Sequence, residues 1–131
     1  MSGTHEPVGY TIQGKVREAI VLMERNLEEP FTLTEIAKYV DVSPRHLQRL
    51  FAHYTDKTPV QYYLDLRLDQ ARGLVTQTEL SLVEISGSCG FTRSETFSRA
   101  YKKRFSITPS SDRIEGRVPF QFRSFPSHAD I

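Results

Sequence analysis

Two short segments of the sequence carry the side chains that proteins use to recognise base pairs. In the first, Arg45 and Arg49 can each donate two hydrogen bonds to guanine, and Gln48 can pair with adenine. In the second, Glu95 can accept from a cytosine amino group, or it can cap its own helix. Such side chains discriminate between bases when they project from a helix in the major groove. The predicted base-contacting residues are Arg45, Gln48, Arg49, Ser94, Glu95, Thr96 and Arg99.

Other residues near these segments are suited to the phosphate backbone. Lys102 and Lys103 lie on the helix beyond Arg99, where they would contact phosphates or simply solvate an exposed face. We favour phosphate contact, and we expect less of it from Arg104. Amide groups at two predicted helix starts are further phosphate donors. The predicted phosphate-contacting residues are Thr32, Ser81, Arg93, Lys102 and Lys103.

Both segments belong to a pattern that occurs twice in the chain. Residues 31–43 match residues 80–92 at an offset of 49, and the residues that follow match at an offset of 50. Each copy opens with a hydroxyl residue and a glutamate three positions later, Thr32 with Glu35 and Ser81 with Glu84, which predicts a capping box. A short helix, a turn and a second helix make a helix-turn-helix. The sequence therefore predicts two such motifs, with one extra residue in the second turn.

The remaining elements complete an all-α fold of about seven helices. Apolar residues spaced by three and four predict an amphipathic helix over 11–29, and a second long helix begins at Thr58 and Pro59. Its length, about 25 Å, would hold two motifs apart. The second helix of the second motif would begin with a capping box from Thr92 to Glu95, or with Ser94 as the cap. We predict a disordered leader (1–10), a first helix-turn-helix subdomain (11–57), a linker helix (58–76), a second subdomain (77–113) and an irregular tail (114–131).

Composition and isolated reactive residues argue against several classes of function. The 131 residues carry a net charge of only +1, with positive charge concentrated near the second segment, and a single cysteine excludes an intrachain disulfide. Four scattered histidines form no catalytic or metal-binding set, so we predict a non-enzyme without a metal or cofactor. Cys89 matches Val40, which favours a core residue over a redox sensor. No membrane span or signal sequence is recognisable, so we expect a cytoplasmic protein.

Over roughly 16–113 the sequence resembles the DNA-binding domain of the AraC/XylS family of bacterial transcription regulators. Five segments carry the resemblance: residues 33–37, Ser43 to Phe51, Pro59 with Tyr62 or Tyr63, Arg67 to Arg72, and the stretch that begins with Cys89-Gly90-Phe91 and ends with Phe97 to Tyr101. The chain departs from the family where glycines usually precede the two threonine-proline pairs, having Asp56-Lys57 and Ser106 there. Asp112 replaces a family aromatic and Ser86 replaces an alanine, so the packing of the C-terminal end is expected to differ.

The resemblance implies a transcriptional activator. It would bind double-stranded DNA as a monomer, placing two recognition helices in adjacent major-groove segments of an asymmetric site, with RNA polymerase as a second candidate partner. Such segments lie about 34 Å apart, so a closer pair of helices would require bent DNA. One alternative is the DNA-binding part of a larger ligand-responsive regulator whose sensor domain is absent from this chain. Another is a helical protein-interaction module without DNA binding, against which the matched outward Arg49 and Arg99 argue.

Overall fold

The computed structural model describes residues 12–117, and all regular structure in that range is helical. The prediction of an all-α fold with about seven helices is confirmed. Within this range the chain forms two compact units, which divide between Arg67 and Leu68 inside the fourth helix. The predicted leader (1–10) and residues 118–131 of the predicted tail lie outside the described range. The helices are α1 Ile12–Glu24, α2 Leu33–Tyr39, α3 Pro44–Thr55, α4 Pro59–Gln77, α5 Leu82–Ser88, α6 Ser94–Phe105 and α7 Pro109–Arg117.

In the first unit, the apolar face of α1 packs on α2 and α3. Ala19 and Met23 are fully buried against a core that includes Leu47 and Phe51 of α3. Burial of each large apolar side chain stabilises the fold by about 1.5 to 3 kcal/mol. The helix ends at Glu24, five residues before the predicted Glu29. This core fixes which face of α3 points outward.

Tyr63 of α4 stabilises the turn that follows α1. Its buried hydroxyl donates to the carbonyl of Asn26 and accepts from the amide of Phe31 at 3.1 Å. Burial raises the pKa of the Tyr63 phenol. The Asn26 side chain also donates to the Leu22 carbonyl at 2.8 Å, which satisfies an acceptor at the helix end. These bonds hold the segment after α1 in a turn, so the helix stops before the apolar periodicity of the sequence ends.

The second unit packs α5, α6 and α7 with the second half of α4. Its core contains Val75, Ile85, Phe97 and Tyr101, which have little or no exposed surface. Cys89 is also fully buried, as expected for a small core residue. Phe97 and Tyr101 therefore face the interior of this unit.

The repeat extends to the backbone of the turns. Asp41 and Gly90, matched between the two copies, have φ of 62° and 87°, while Asp56 and Ser106 have φ of 61° and 65°. These left-handed conformations end matched helices and normally favour glycine. Asp56 and Ser106 therefore adopt the usual turn geometry without glycine, at a cost of about 1 kcal/mol each.

The start of α6 differs from both capping predictions, which are wrong. Ser94 is the first helical residue, and Arg93 occupies the cap position without a side-chain hydrogen bond. In the first unit, by contrast, Ser43 caps α3 by accepting from the His46 amide at 3.0 Å. Five residues separate α5 from α6, whereas four separate α2 from α3. The extra residue places Thr92 one position too early to act as the cap.

Helix α7 extends into the segment predicted to be irregular. It runs to Arg117, so that prediction is wrong for residues 114–117. Pro109 occupies the first helical position, where a missing amide hydrogen costs nothing, and the Thr108 hydroxyl accepts from the Ser111 amide at 3.2 Å. Helices this short are marginal alone and depend on tertiary contacts. Asp112 of α7 makes such tertiary contacts, because its buried carboxylate accepts hydrogen bonds from Arg72 and Tyr101.

Candidate nucleic-acid interface

Helix α3 presents the three predicted base-contacting residues of the first motif together. Leu47, Leu50 and Phe51 are buried on one side, and the Phe51 ring meets the edge of Tyr62 with a centroid separation of 5.7 Å. The opposite side is exposed and carries Arg45, Gln48 and Arg49. Because the buried face is tightly packed, the orientation of the outward side chains is set by the core.

Helix α6 presents a comparable surface in the second unit. An open groove there is lined by Ser94, Glu95, Ser98, Arg99, Lys102, Lys103 and Thr108. It brings together three of the four predicted base-contacting residues and both predicted lysines. Thr96 and Arg93 are exposed but do not line it.

Ser98 and Thr108 were missed by the sequence predictions, although both line this groove. The repeat contained a signal for Ser98, because the offset of 50 pairs it with Gln48 on α3. Its hydroxyl can donate to or accept from a base edge or a phosphate. Thr108 precedes α7 and matches Thr58 at the same offset, but that threonine-proline pair indicated a helix start rather than a lining residue of this groove.

The charged groups of the groove favour an anion. Its lining carries three positively charged side chains, Arg99, Lys102 and Lys103, and one carboxylate, that of Glu95. The Nε atom of Arg93 lies 3.7 Å from Glu95 Oε1, and both side chains are more than 70% exposed. An ion pair this exposed contributes little to stability and can rearrange when a ligand binds. Glu95 does not cap α6, so contact with a base remains its predicted role.

Thr32 and Ser81 serve first as helix caps. The Thr32 hydroxyl accepts from the Glu35 amide at 3.2 Å, and Glu35 accepts from the Thr32 amide at 2.8 Å. Ser81 and Glu84 repeat the arrangement, with both distances 3.0 Å. The capping boxes predicted at the starts of α2 and α5 are confirmed. Phosphate contact at these two helix starts remains a prediction, and its donors would be the next one or two helical amides, which lack an intrahelical partner.

A buried polar network lies behind the α6 surface. Asp112 is buried, with its side chain 6% exposed. Its Oδ2 accepts from the Tyr101 hydroxyl at 2.5 Å and from Arg72 Nε at 2.9 Å. Burial, together with the hydrogen bond and the negative charge of Asp112, raises the pKa of the Tyr101 phenol well above its usual range. The network joins α4, α6 and α7.

The raised pKa of Tyr101 predicts loss of stability in alkaline solution. Above about pH 10 an unfolded tyrosine releases its proton, whereas native Tyr101 retains it, so the native state binds more protons and the free energy of unfolding falls as pH rises. Urea unfolding followed by circular dichroism across this range should show the fall. In Tyr101→Phe the free energy of unfolding should fall less steeply with pH. A smaller fall should remain, because the pKa of Tyr63 is also raised. Equal slopes for the two proteins would contradict the role of Tyr101.

Within residues 12–117, no three histidine, cysteine, aspartate or glutamate side chains are grouped so as to hold a metal ion. Among the helices of the same range, none has both the length and the apolar character needed to cross a bilayer.

Comparison with known proteins identifies relatives of the whole two-motif segment. A family model described as a helix-turn-helix domain matches residues 36–114. The chain is 48% identical over 103 residues to the HTH-type transcriptional regulator ArgR of Pseudomonas aeruginosa, a match covering 79% of this chain and 31% of ArgR. It is 45% identical over 113 residues to the regulator GbdR of the same species, covering 86% of this chain and 29% of GbdR.

A solved structure matches the fold at similar sequence identity. The crystal structure of a transcriptional regulator from Chromobacterium violaceum, described as an AraC-type DNA-binding domain-containing protein, has a TM-score of 0.77 and 47% identity to this chain. The match covers 82% of this chain and 96% of that one. The chain thus spans nearly all of a solved domain but less than a third of the length of the two curated relatives.

Proposed function

We propose that this chain, which belongs to the AraC-type helix-turn-helix family of transcriptional regulators, binds duplex DNA sequence-specifically through α3 and α6. The observation that carries the proposal is the repeated presentation of an outward arginine. Arg49 and Arg99 occupy matched, exposed positions on helices whose opposite faces are buried. Arginine pairs bidentately with guanine in the major groove.

The other exposed side chains take complementary roles in this proposal. Arg45 and Gln48 on α3, and Ser94, Glu95 and Thr96 on α6, contact base edges, to which we now add Ser98. Lys102 and Lys103 contact phosphates, as do Arg93 and the amides at the starts of α2 and α5. These phosphate contacts supply affinity and position, whereas the base contacts supply specificity.

The mode of binding that we propose is asymmetric. Residues on α3 differ from their matches on α6, as Arg45 does from Glu95 and Gln48 from Ser98. Two unlike helices would therefore occupy adjacent major-groove segments of one site, so a monomer would suffice. We further propose that the chain is an activator that engages RNA polymerase, as the family resemblance implies, and that it acts in the cytoplasm.

A second proposal concerns the natural protein. The matched relatives are more than three times longer than the matched segment. This favours a ligand-responsive regulator of which the present chain is the DNA-binding part. The mass of the natural gene product would test it, because a mass near 15.1 kDa leaves no room for a sensor domain.

Selection from a randomised duplex pool at physiological salt tests the proposed DNA recognition. We expect an asymmetric consensus with two clusters of preferred bases about one helical turn apart. Affinity measured against salt concentration distinguishes specific recognition from purely electrostatic binding. Purely electrostatic binding is steeply salt-dependent and insensitive to sequence. A sequence-independent bound fraction would contradict specific recognition by this chain.

A further inference from the structure

A bidentate salt bridge joins the last turn of α6 to α4. Arg104 donates from Nε to Asp69 Oδ1 at 2.9 Å and from Nη2 to Asp69 Oδ2 at 3.1 Å. Parallel bonds of this kind match the planar guanidinium to the planar carboxylate, so they fix orientation as well as distance. The Arg104 side chain is 30% exposed, less than that of Asp69 at 53%.

Aromatic contacts reinforce this ion pair. The guanidinium carbon of Arg104 lies 5.5 Å from the centroid of the Phe105 ring, and that of Arg72 lies 4.6 Å from the same centroid. Asp69 and Arg72 are three residues apart and therefore share one face of α4. Arg72 also donates to the buried Asp112. Asp69, Arg72, Arg104 and Phe105 thus form one connected contact, which we call the α4–α6 clamp.

The clamp distinguishes Arg104 from the two basic residues beside it. Lys102 and Lys103 line the open groove of α6, whereas the charge of Arg104 is directed to Asp69. In the first unit the position matching Arg104 is Tyr54, an exposed residue without a positive charge. The clamp is therefore specific to the second motif.

We propose that Asp69 is a positioning residue for α6, which holds Arg104 away from the phosphate backbone and fixes the last turn of the recognition helix. The proposal rests on the DNA-binding function proposed above. It has two consequences. Phosphate contact by this turn comes from Lys102 and Lys103 alone, and loss of the Asp69 carboxylate releases a third positive charge for sequence-independent binding.

The salt dependence of DNA binding tests this proposal directly. Log K falls linearly as log salt concentration rises, and each phosphate neutralised adds about 0.9 to the steepness of that fall, which is called the slope below. The probe is the duplex selected from the pool, with a shuffled duplex for non-specific binding. Lys102→Ala and Lys103→Ala should each lower the slope by about 0.9, whereas Arg104→Ala should leave it unchanged. Asp69→Asn should raise the slope by up to about 0.9 and lower the ratio of specific to non-specific affinity. Asp69→Glu, which retains the carboxylate, should keep the wild-type slope.

Two results would overturn the proposal. One is a loss of slope in Arg104→Ala equal to that in the lysine variants, which would place Arg104 on a phosphate. The other is an Asp69→Asn variant with wild-type slope and specificity, provided that its circular dichroism spectrum shows the native helix content.

A measurement without DNA separates failure of the clamp from failure of the proposed function. The Nε–H proton of Arg104 should exchange slowly with water in the nuclear magnetic resonance spectrum of the wild-type protein, and quickly in Asp69→Asn. Rapid exchange in the wild type would overturn the clamp whatever the protein binds. Slow exchange of the Arg104 proton would instead support the clamp. If the wild type and both lysine variants also showed no salt-dependent affinity for duplex DNA, the DNA-binding function would be rejected while the clamp would stand.

Discussion

Replacing Asp112 with alanine is expected to lower the free energy of unfolding of the second unit by about 2 to 3 kcal/mol. The substitution removes the acceptor of both Tyr101 and Arg72. Tyr101 is fully buried, so its hydroxyl would lose its partner without gaining access to water. Arg72 is 45% exposed and can recover part of its hydration, which limits the loss. Amide hydrogen exchange in α6 measures the effect within the second unit.

Ser111→Ala is the matched control for Asp112→Ala. Ser111 lies next to Asp112 in the same helix but is exposed, so its substitution tests the effect of a change in α7 alone. Asp112→Asn should have an intermediate effect, because its amide oxygen can still accept from Tyr101 while the charge opposite Arg72 is lost. A loss of protection in Asp112→Ala no larger than that in Ser111→Ala would contradict the stabilising role of the network.

The features that were predictable from the sequence depend on neighbours in the chain. The capping boxes of α2 and α5 join residues three positions apart, so residue type and spacing indicated them. The outward positions on α3 and α6 likewise followed from helical periodicity within one turn. The repeat strengthened each prediction because Arg49 and Arg99 occur in two independent copies of one pattern.

The features that were not predictable depend on residues distant in the chain. Asp112 was recognised only as a departure from the family, since its partner Arg72 lies 40 positions away. In the sequence Arg104 belongs to one basic run with Lys102 and Lys103, and only the fold reveals Asp69, 35 positions away, as its partner. Periodicity describes which side of a helix is buried, but it does not identify which polar groups meet across helices.

The start of α6 shows a different limit of sequence interpretation. Thr92 and Glu95 have the spacing of a capping box, yet the helix begins at Ser94 with Arg93 in the cap position. The residue types satisfied the local rule, but the turn is one residue longer than in the first motif, which puts Arg93, the match of Ser43, in the cap position. A side chain can cap a helix only from the residue that precedes its first turn, and the length of the preceding loop decides which residue that is.

Arg49→Ala and Arg99→Ala are each expected to weaken binding to the selected duplex by about 1 to 3 kcal/mol, or about 5- to 150-fold. Each substitution removes a side chain able to donate two hydrogen bonds to one guanine while leaving the buried face of its helix unchanged. Selection repeated with each variant should relax one cluster of preferred bases and preserve the other. Equilibrium titration of the selected duplex, and of duplexes changed at single base pairs, measures both effects.

Arg25→Ala separates the loss of a base contact from the loss of a positive charge. Arg25 is exposed just after α1 and has no predicted role in recognition, so its substitution should weaken binding by less than either recognition-helix variant and leave both clusters intact. If Arg49→Ala or Arg99→Ala weakens all duplexes equally, including shuffled ones, that arginine contacts phosphate rather than bases. Specificity in that motif would then have to come from its other exposed side chains, Arg45 and Gln48 on α3 or Glu95 and Ser98 on α6.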